Sequence, residues 1–325
     1  MTPTPPVHSE HSGPPDLAVS VSGLSKRFGD RQAVSGLTFE VTRGRAFGLL
    51  GPNGSGKTTT VRLLTGLLRP DGGEVALFGE RLTEASADGL RARIGVQTDT
   101  SLYPSLSARE NLRAWGELYG LSRATLDVRI DEVLEVLGLS ERAGSLVGQL
   151  SKGMRQKLAV GRAVLHTPEL LFLDEPTAGL DPEAANDLIA YLTGMVRAAN
   201  TTVIICTHQL HGLETLCDDI GILKDGTLLT AGDVPTLLHR KWPAQRYSVT
   251  VGSDPARAAE VISSVDGLTA EVVAGEVTFS TADEDAVPAA VAALVRHDVP
   301  VRAVVPQRPT IEQLYFATLA EEGAA

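Results

Sequence analysis

Between positions 51 and 58 the chain reads Gly51-Pro52-Asn53-Gly54-Ser55-Gly56-Lys57-Thr58, three glycines, a lysine and a hydroxyl spaced to grip a polyphosphate. Glycine is required there because backbone N–H groups must turn inward toward phosphate oxygens, where a Cβ would obstruct them. Lys57 is placed to reach β- and γ-phosphates, the Thr58 hydroxyl to ligate Mg²⁺, and Thr59 continues the same binding stretch. The flanks agree. Ala46-Phe47-Gly48-Leu49-Leu50 is an apolar run of buried-strand type, and Thr59-Thr60-Val61-Arg62-Leu63-Leu64 continues as an apolar-faced helix. That helix would present unpaired N–H groups and a favourable dipole to the anion.

A second apolar run, Leu170-Leu171-Phe172-Leu173, ends in Asp174-Glu175. Adjacent acids at a strand end are ordinarily just solvated. Downstream of a phosphate loop they divide into Asp174, which holds the Mg²⁺ shell, and Glu175, free to polarise an attacking water as general base.

With these two motifs in place, residues 17–238 resemble the ATP-binding cassette (ABC) family of transporter ATPases. The resemblance rests on further motifs in the family's order. Leu150-Ser151-Lys152-Gly153-Met154 resembles the signature that opens a helix and binds the γ-phosphate of ATP held by the other subunit. Ser151 and Gly153 keep a hydroxyl and a close backbone approach, whereas Met154 lacks the polar contact of the commonest form. The Lys-Gly-Met variant resembles the drug and antibiotic exporters of the family. Ala178-Gly179-Leu180-Asp181 is similar to the loop that couples two sites across a dimer, and Thr207-His208 after an apolar strand matches the switch histidine on the γ-phosphate. Phe28 stands where the family stacks an aromatic ring on adenine; Phe keeps the π-face. Gln97 matches the glutamine that tracks Mg²⁺ and the water. It stands a residue or two early relative to Leu102-Tyr103-Pro104, which leaves two readings, a loop of variant length or a part taken by Asp99.

The resemblance implies an α/β P-loop NTPase fold with a helical subdomain, ATP and Mg²⁺ as cofactors, an integral-membrane permease as partner, and two cassettes closing on two ATP sites. Both half-sites are complete in this chain, so a homodimer is the simpler expectation, located in the cytoplasm on the inner face of the membrane. Two other readings belong to non-transport relatives in DNA repair or on the ribosome, and to a P-loop kinase. The interval between phosphate loop and signature holds no cysteine pairs and no sustained heptads, the chain carries one cassette, and a kinase would not account for the signature, Asp181 and His208 together.

Composition bounds these readings. The 325 residues, 43% hydrophobic, suit one large folded domain and a small one. A net charge of −11 argues against a general nucleic-acid binder. No apolar run approaches the roughly 18 residues that cross a bilayer, so a membrane role would run through a partner. Two cysteines, Cys206 and Cys217, give no disulfide framework. Residues 1–16, rich in proline, read as a disordered leader.

The expected organisation is a nucleotide-binding domain over 17–239, with its helical subdomain at about 98–166, a linker at 240–246 and an accessory domain over 247–322. Ser107 and Glu110 form a capping pattern at a helix start, and 128–139 carries helical apolar spacing. The tail reads strand 247–251, helix 255–265, strand 268–273, a turn at Ala274-Gly275, strand 276–280, helix 287–297 and strand 299–305. That is a β-α-β-β-α-β, ferredoxin-like order. A closing helix starts at Thr310, where Gln313 completes a capping box.

Overall fold

Two long strands open the described part of this computed structural model, which covers residues 16–98, 102–252, 254–283 and 285–324. The expected leader 1–16 therefore falls outside the described residues except for Asp16, whose carboxylate pairs with Arg43 at 2.9 Å. Much of β1 (Leu17–Phe28) and β2 (Arg31–Thr42) alternates buried apolar with exposed polar positions, as half-buried strands do. They join β4 (Gly72–Leu77) and β5 (Glu80–Arg81) in an antiparallel sheet of order β2-β1-β4-β5.

Between β2 and β4 the chain enters a second sheet as β3 (Ala46–Leu50) and leaves it through α1 (Lys57–Leu64). After α2 (Ala87–Arg91) comes β6 (Ile94–Gln97), then a helical stretch of α3 (Ala108–Leu118), α4 (Arg123–Val136) and α5 (Lys152–Val164). Ser107 and Glu110 form the reciprocal capping box that starts α3. The chain returns as β7 (Leu170–Asp174), crosses over through α6 (Pro182–Ala199) to β8 (Thr202–Thr207), and continues through α7 (Leu213–Leu216), β9 (Asp219–Lys224) and β10 (Thr227–Asp233).

The strand order is β10-β9-β3-β8-β7-β6, and β9, β3, β8, β7 and β6 run parallel. Every residue of β3, β7 and β8 is buried. Continuous apolar strands of this kind belong inside a parallel sheet covered on both faces. Phe39 of the first sheet stacks on Phe47 of the second with ring centroids 5.1 Å apart. Around that pair Leu24, Val41, Val61, Leu64, Phe172 and Ile204 form one core shared by both sheets and α1.

The chain divides into two compact units after Ala231. The division differs from the expected boundary at 239 with a linker at 240–246. Residues 234–241 form α8 (Val234–Lys241), capped by the Asp233 carboxylate on the Thr236 N–H at 3.1 Å, and Leu237 is buried. Lys241 pairs with Glu321 of α11 (Ile311–Ala324), and β11 (Gln245–Val251) already begins inside the expected linker. The second unit continues with α9 (Pro255–Ser263), β12 (Ala270–Val273), β13 (Glu276–Thr281), α10 (Ala286–Arg296) and β14 (Val301–Gln307). Its antiparallel sheet has the order β12-β13-β11-β14. Ile262 and Leu294, from α9 and α10, pack with Val249, Val277 and Phe279 of the sheet.

Two strands in this unit start later than their apolar runs suggest. Leu268 is buried in the turn after α9, bonded to the Val265 carbonyl, and Val299 closes α10 by donating to the Leu294 carbonyl at 2.9 Å. Ala274 and Gly275 both have positive φ, the backbone of a two-residue turn that matches strand twist. Thr310 and Gln313 exchange backbone and side-chain hydrogen bonds at the start of α11.

Candidate functional site

Because β3, β8, β7 and β6 are parallel neighbours, their C-terminal ends lie along one edge of the sheet. In open α/β sheets this is where ligands bind. Leu50 lies opposite Thr207, Asp174 opposite Cys206, and Gln97 opposite Leu173. Four segments far apart in sequence thus deliver the phosphate loop, the acidic pair, Gln97 and His208 to one place.

The phosphate loop is shaped by steric demands at two glycines. A Cβ at Gly51 would stand 2.3 Å from the Leu223 carbonyl oxygen. Gly56 has φ +109°, and a Cβ there would meet the Ala33 carbonyl oxygen at 2.5 Å. Neither position accepts another residue without moving backbone. Pro52, Asn53 and Gly54 lie exposed at the tip, where the Arg31 guanidinium donates to the Gly54 carbonyl at 3.1 Å.

Lys57 is almost fully buried, and its ammonium donates to the carbonyls of Gly51 at 2.6 Å and Pro52 at 3.1 Å. It also stands 3.6 Å from a Glu175 carboxylate oxygen. Thr58 Oγ1 donates to Asp174 Oδ2 at 2.5 Å, and Gln97 Nε2 donates to the Asp174 backbone oxygen at 3.2 Å. Three buried oxygens here have no hydrogen-bond partner: Ser55 Oγ, Gln97 Oε1 and Asp174 Oδ1. Burial raises the pKa of Asp174 above its ordinary value, against the lowering effect of the Thr58 hydrogen bond; Glu175 adds to the rise and Lys57 opposes it.

Glu175 is held from several sides. Thr207 Oγ1 donates to Oε2 at 2.8 Å, the His208 backbone N–H reaches Oε1 at 3.2 Å, and His208 Nδ1 lies 2.7 Å from Oε1. Its backbone has φ +52°, the left-handed region that a non-glycine residue occupies only when its surroundings impose it. Its N–H donates to the Cys206 carbonyl at 2.8 Å.

The other residues singled out from sequence stand differently. Ser151 is exposed and caps α5 by accepting from the Met154 N–H at 3.1 Å. Asp181 is exposed and caps α6, accepting from the Ala184 N–H at 2.9 Å. A Cβ on Gly153 would lie 3.2 Å from Leu180 and 3.3 Å from the Gly179 carbonyl, so the signature turn rests on the segment that follows Glu175. Phe28, half-exposed at the end of β1, has the Lys26 ammonium 5.8 Å from its ring centroid. Asp99 lies outside the described residues.

Sequence reasoning missed Arg31, Thr207 as a partner of Glu175, and Gln156. The last left a signal: a glutamine two residues ahead of the apolar run Leu158, Ala159 and Val160, buried with them in α5.

The ABC transporter family profile matches residues 34–178. A linearmycin resistance ATP-binding protein of Bacillus subtilis (strain 168) is 33% identical over 303 residues, covering 92% of this chain and 97% of that protein. A bacitracin transport ATP-binding protein of Bacillus licheniformis is 40% identical over 212 residues, 65% of this chain and 68% of that one. Among solved structures, the ATP-binding subunit of an ABC transporter superposes with a TM-score of 0.63 at 32% identity, over 70% of this chain and 93% of the other. A dimeric ATP-binding cassette in a post-hydrolysis state, bound to ADP and phosphate, superposes with a TM-score of 0.62 at 25% identity, over 66% of this chain and 98% of its own. With a phosphate loop, an acidic pair and a histidine gathered at one sheet edge, and likeness running through 97% of a linearmycin resistance ATP-binding protein, the chain belongs to the ABC transporter family as an ATP-binding, ATP-hydrolysing subunit.

Proposed function

We propose that this subunit drives an exporter of antibiotic-like hydrophobic compounds, with ATP bound by residues 51–59 and hydrolysed with Glu175 as general base. The observation that carries the reading is the group of unpartnered oxygens beside Lys57. Asp174 Oδ1 and Gln97 Oε1 are buried without partners, Thr58 and Gln97 are each bonded to Asp174, and oxygens of this kind are the donors a hard divalent cation takes. Thr58, Asp174 and Gln97 would hold Mg²⁺, which neutralises phosphate charge when bound. Lys57 would exchange its carbonyl partners for phosphate oxygens, and Phe28 would stack on the adenine. Glu175, oriented by Thr207 and His208, accepts the proton of the attacking water. His208 Nδ1 lies against that carboxylate, so the histidine is ready to hold both base and γ-phosphate.

Ser151, Gly153 and Asp181 are not drawn into this cluster and fit the second half of a site that another cassette completes. A homodimer supplies that half with the fewest components. Among the described residues no helix is long and apolar enough to cross a membrane, so passage of the cargo falls to a permease partner. A groove of about 470 Å³ between α1 and α3, edged by exposed Leu67 and Leu118 and floored by Trp115, suits an apolar helix of that permease. The export reading draws on the relatives named for linearmycin resistance and bacitracin transport.

Glu175→Gln tests the chemistry. It keeps the shape and loses the base, so phosphate release should fall by about 10²–10⁴-fold while nucleotide affinity is retained. Hydrolysis at the wild-type rate would remove Glu175 from the mechanism.

A further inference from the structure

We infer that Gln156 is a positioning residue for Glu175, tying the base of one ATP site to the helix that begins at the signature; the inference rests on the reading of Glu175 given above. Gln156 is 6% exposed, and its Nε2 donates to the Glu175 backbone oxygen at 3.0 Å. The Ala178 N–H donates to the same oxygen at 3.1 Å. With the Glu175 N–H on Cys206, both backbone groups of a left-handed residue are fixed, the N–H from β8 and the oxygen from α5. Gln156 lies one turn beyond Gly153 on the same face of α5, where side chains three and four residues apart line up. That face rests on 179–180, since a Cβ at Gly179 would sit 3.1 Å from Lys152.

The chain therefore holds its base between two grips. Thr207 and His208 fix the carboxylate from β8, and Gln156 fixes the backbone from α5. Ser151, the cap of α5, is the residue that faces nucleotide held by the partner cassette in the sandwich reading. One hydrogen bond thus ties the helix that begins at Ser151 to the Glu175 carbonyl.

Gln156→Met keeps the length and packing of the side chain and removes the donor; Gln156→Glu keeps the shape and puts an acceptor against a carbonyl. Both should lower kcat for ATP about tenfold, the rate equivalent of one lost hydrogen bond. KM, fluorescent-nucleotide affinity and Tm of Gln156→Met should stay at wild-type values. Placed in the Glu175→Gln background, Gln156→Met should cost nothing further in residual rate, because its effect runs through Glu175, and the doubly substituted chain should assemble with Mg-ATP as the single variant does. A parallel fall in kcat, affinity and Tm would make Gln156 a packing residue and overturn the inference. So would an equal loss of rate with Glu175 already replaced, or a loss of assembly. Wild-type hydrolysis by Glu175→Gln alone would instead overturn the assignment of the base, so the two failures are distinguishable.

Discussion

The phosphate loop and the signature turn are both built on a glycine-containing helix N-terminus, yet they differ in what they leave unsatisfied. At the phosphate loop Ser55, Gln97 and Asp174 keep buried oxygens without partners, and Lys57 is turned back onto carbonyls of its own loop. At the signature turn Ser151 is exposed and already bonded as the cap of α5, and Asp181 likewise caps α6. Buried polar atoms without partners are costly, so the first arrangement stores a demand that a ligand inside this chain can meet. The second stores none. Its polar side chains already serve as helix caps and stay exposed to the outside of the chain. In the proposed function the first region receives nucleotide within this chain and the second completes the site of another cassette.

The largest effect that would sharpen this contrast is at Lys57. Lys57→Ala should weaken ATP binding by at least about a hundredfold, the worth of two charge-assisted hydrogen bonds, in a fluorescent-nucleotide titration. Equal affinity would move the phosphate site elsewhere. Phe28→Ala should cost less, about fivefold to tenfold, as a half-exposed ring stacking on one base is worth. An unchanged affinity would return Phe28 to the role of an ordinary strand-end residue. Ending the chain after Asp233 should change least. The second unit has its own core in Val249, Phe279, Ile262 and Leu294. ATP affinity of the folded remainder should therefore stay within about twofold of the full chain, as expected for independent units. Loss of binding would give 234–325 a share in the nucleotide site.

How much of this was legible beforehand follows the same division. The phosphate loop, the acidic pair and the capping residues Ser107 and Thr310 could be read because their chemistry depends on neighbours within a few positions. Gly56 needs its positive φ, and Ser107 needs Glu110, whatever the rest of the fold does. Gln156 could not be read for its role, because its partner is a backbone oxygen nineteen residues away, presented only once Glu175 takes φ +52°. Nothing in the side chain of Glu175 announces that conformation. The unit boundary was misplaced for a related reason. Residues 234–241 form a well-capped helix that belongs to the second unit, where Lys241 meets Glu321, a residue eighty positions on. Local rules give elements and turns, whereas long-range pairings decide which elements a residue serves.

The central claim, that the exposed signature turn completes an ATP site in a second cassette, is tested most directly by light scattering on Glu175→Gln with Mg-ATP, with and without Ser151→Arg. The account predicts that Glu175→Gln passes from monomer to dimer when Mg-ATP is added, either alone or within the permease complex. It also predicts that Ser151→Arg abolishes the dimer while each chain still binds nucleotide, because a bulky cation fills the γ-phosphate position. A dimer that persists with Ser151→Arg would contradict it, since the signature would then play no part in closing the site.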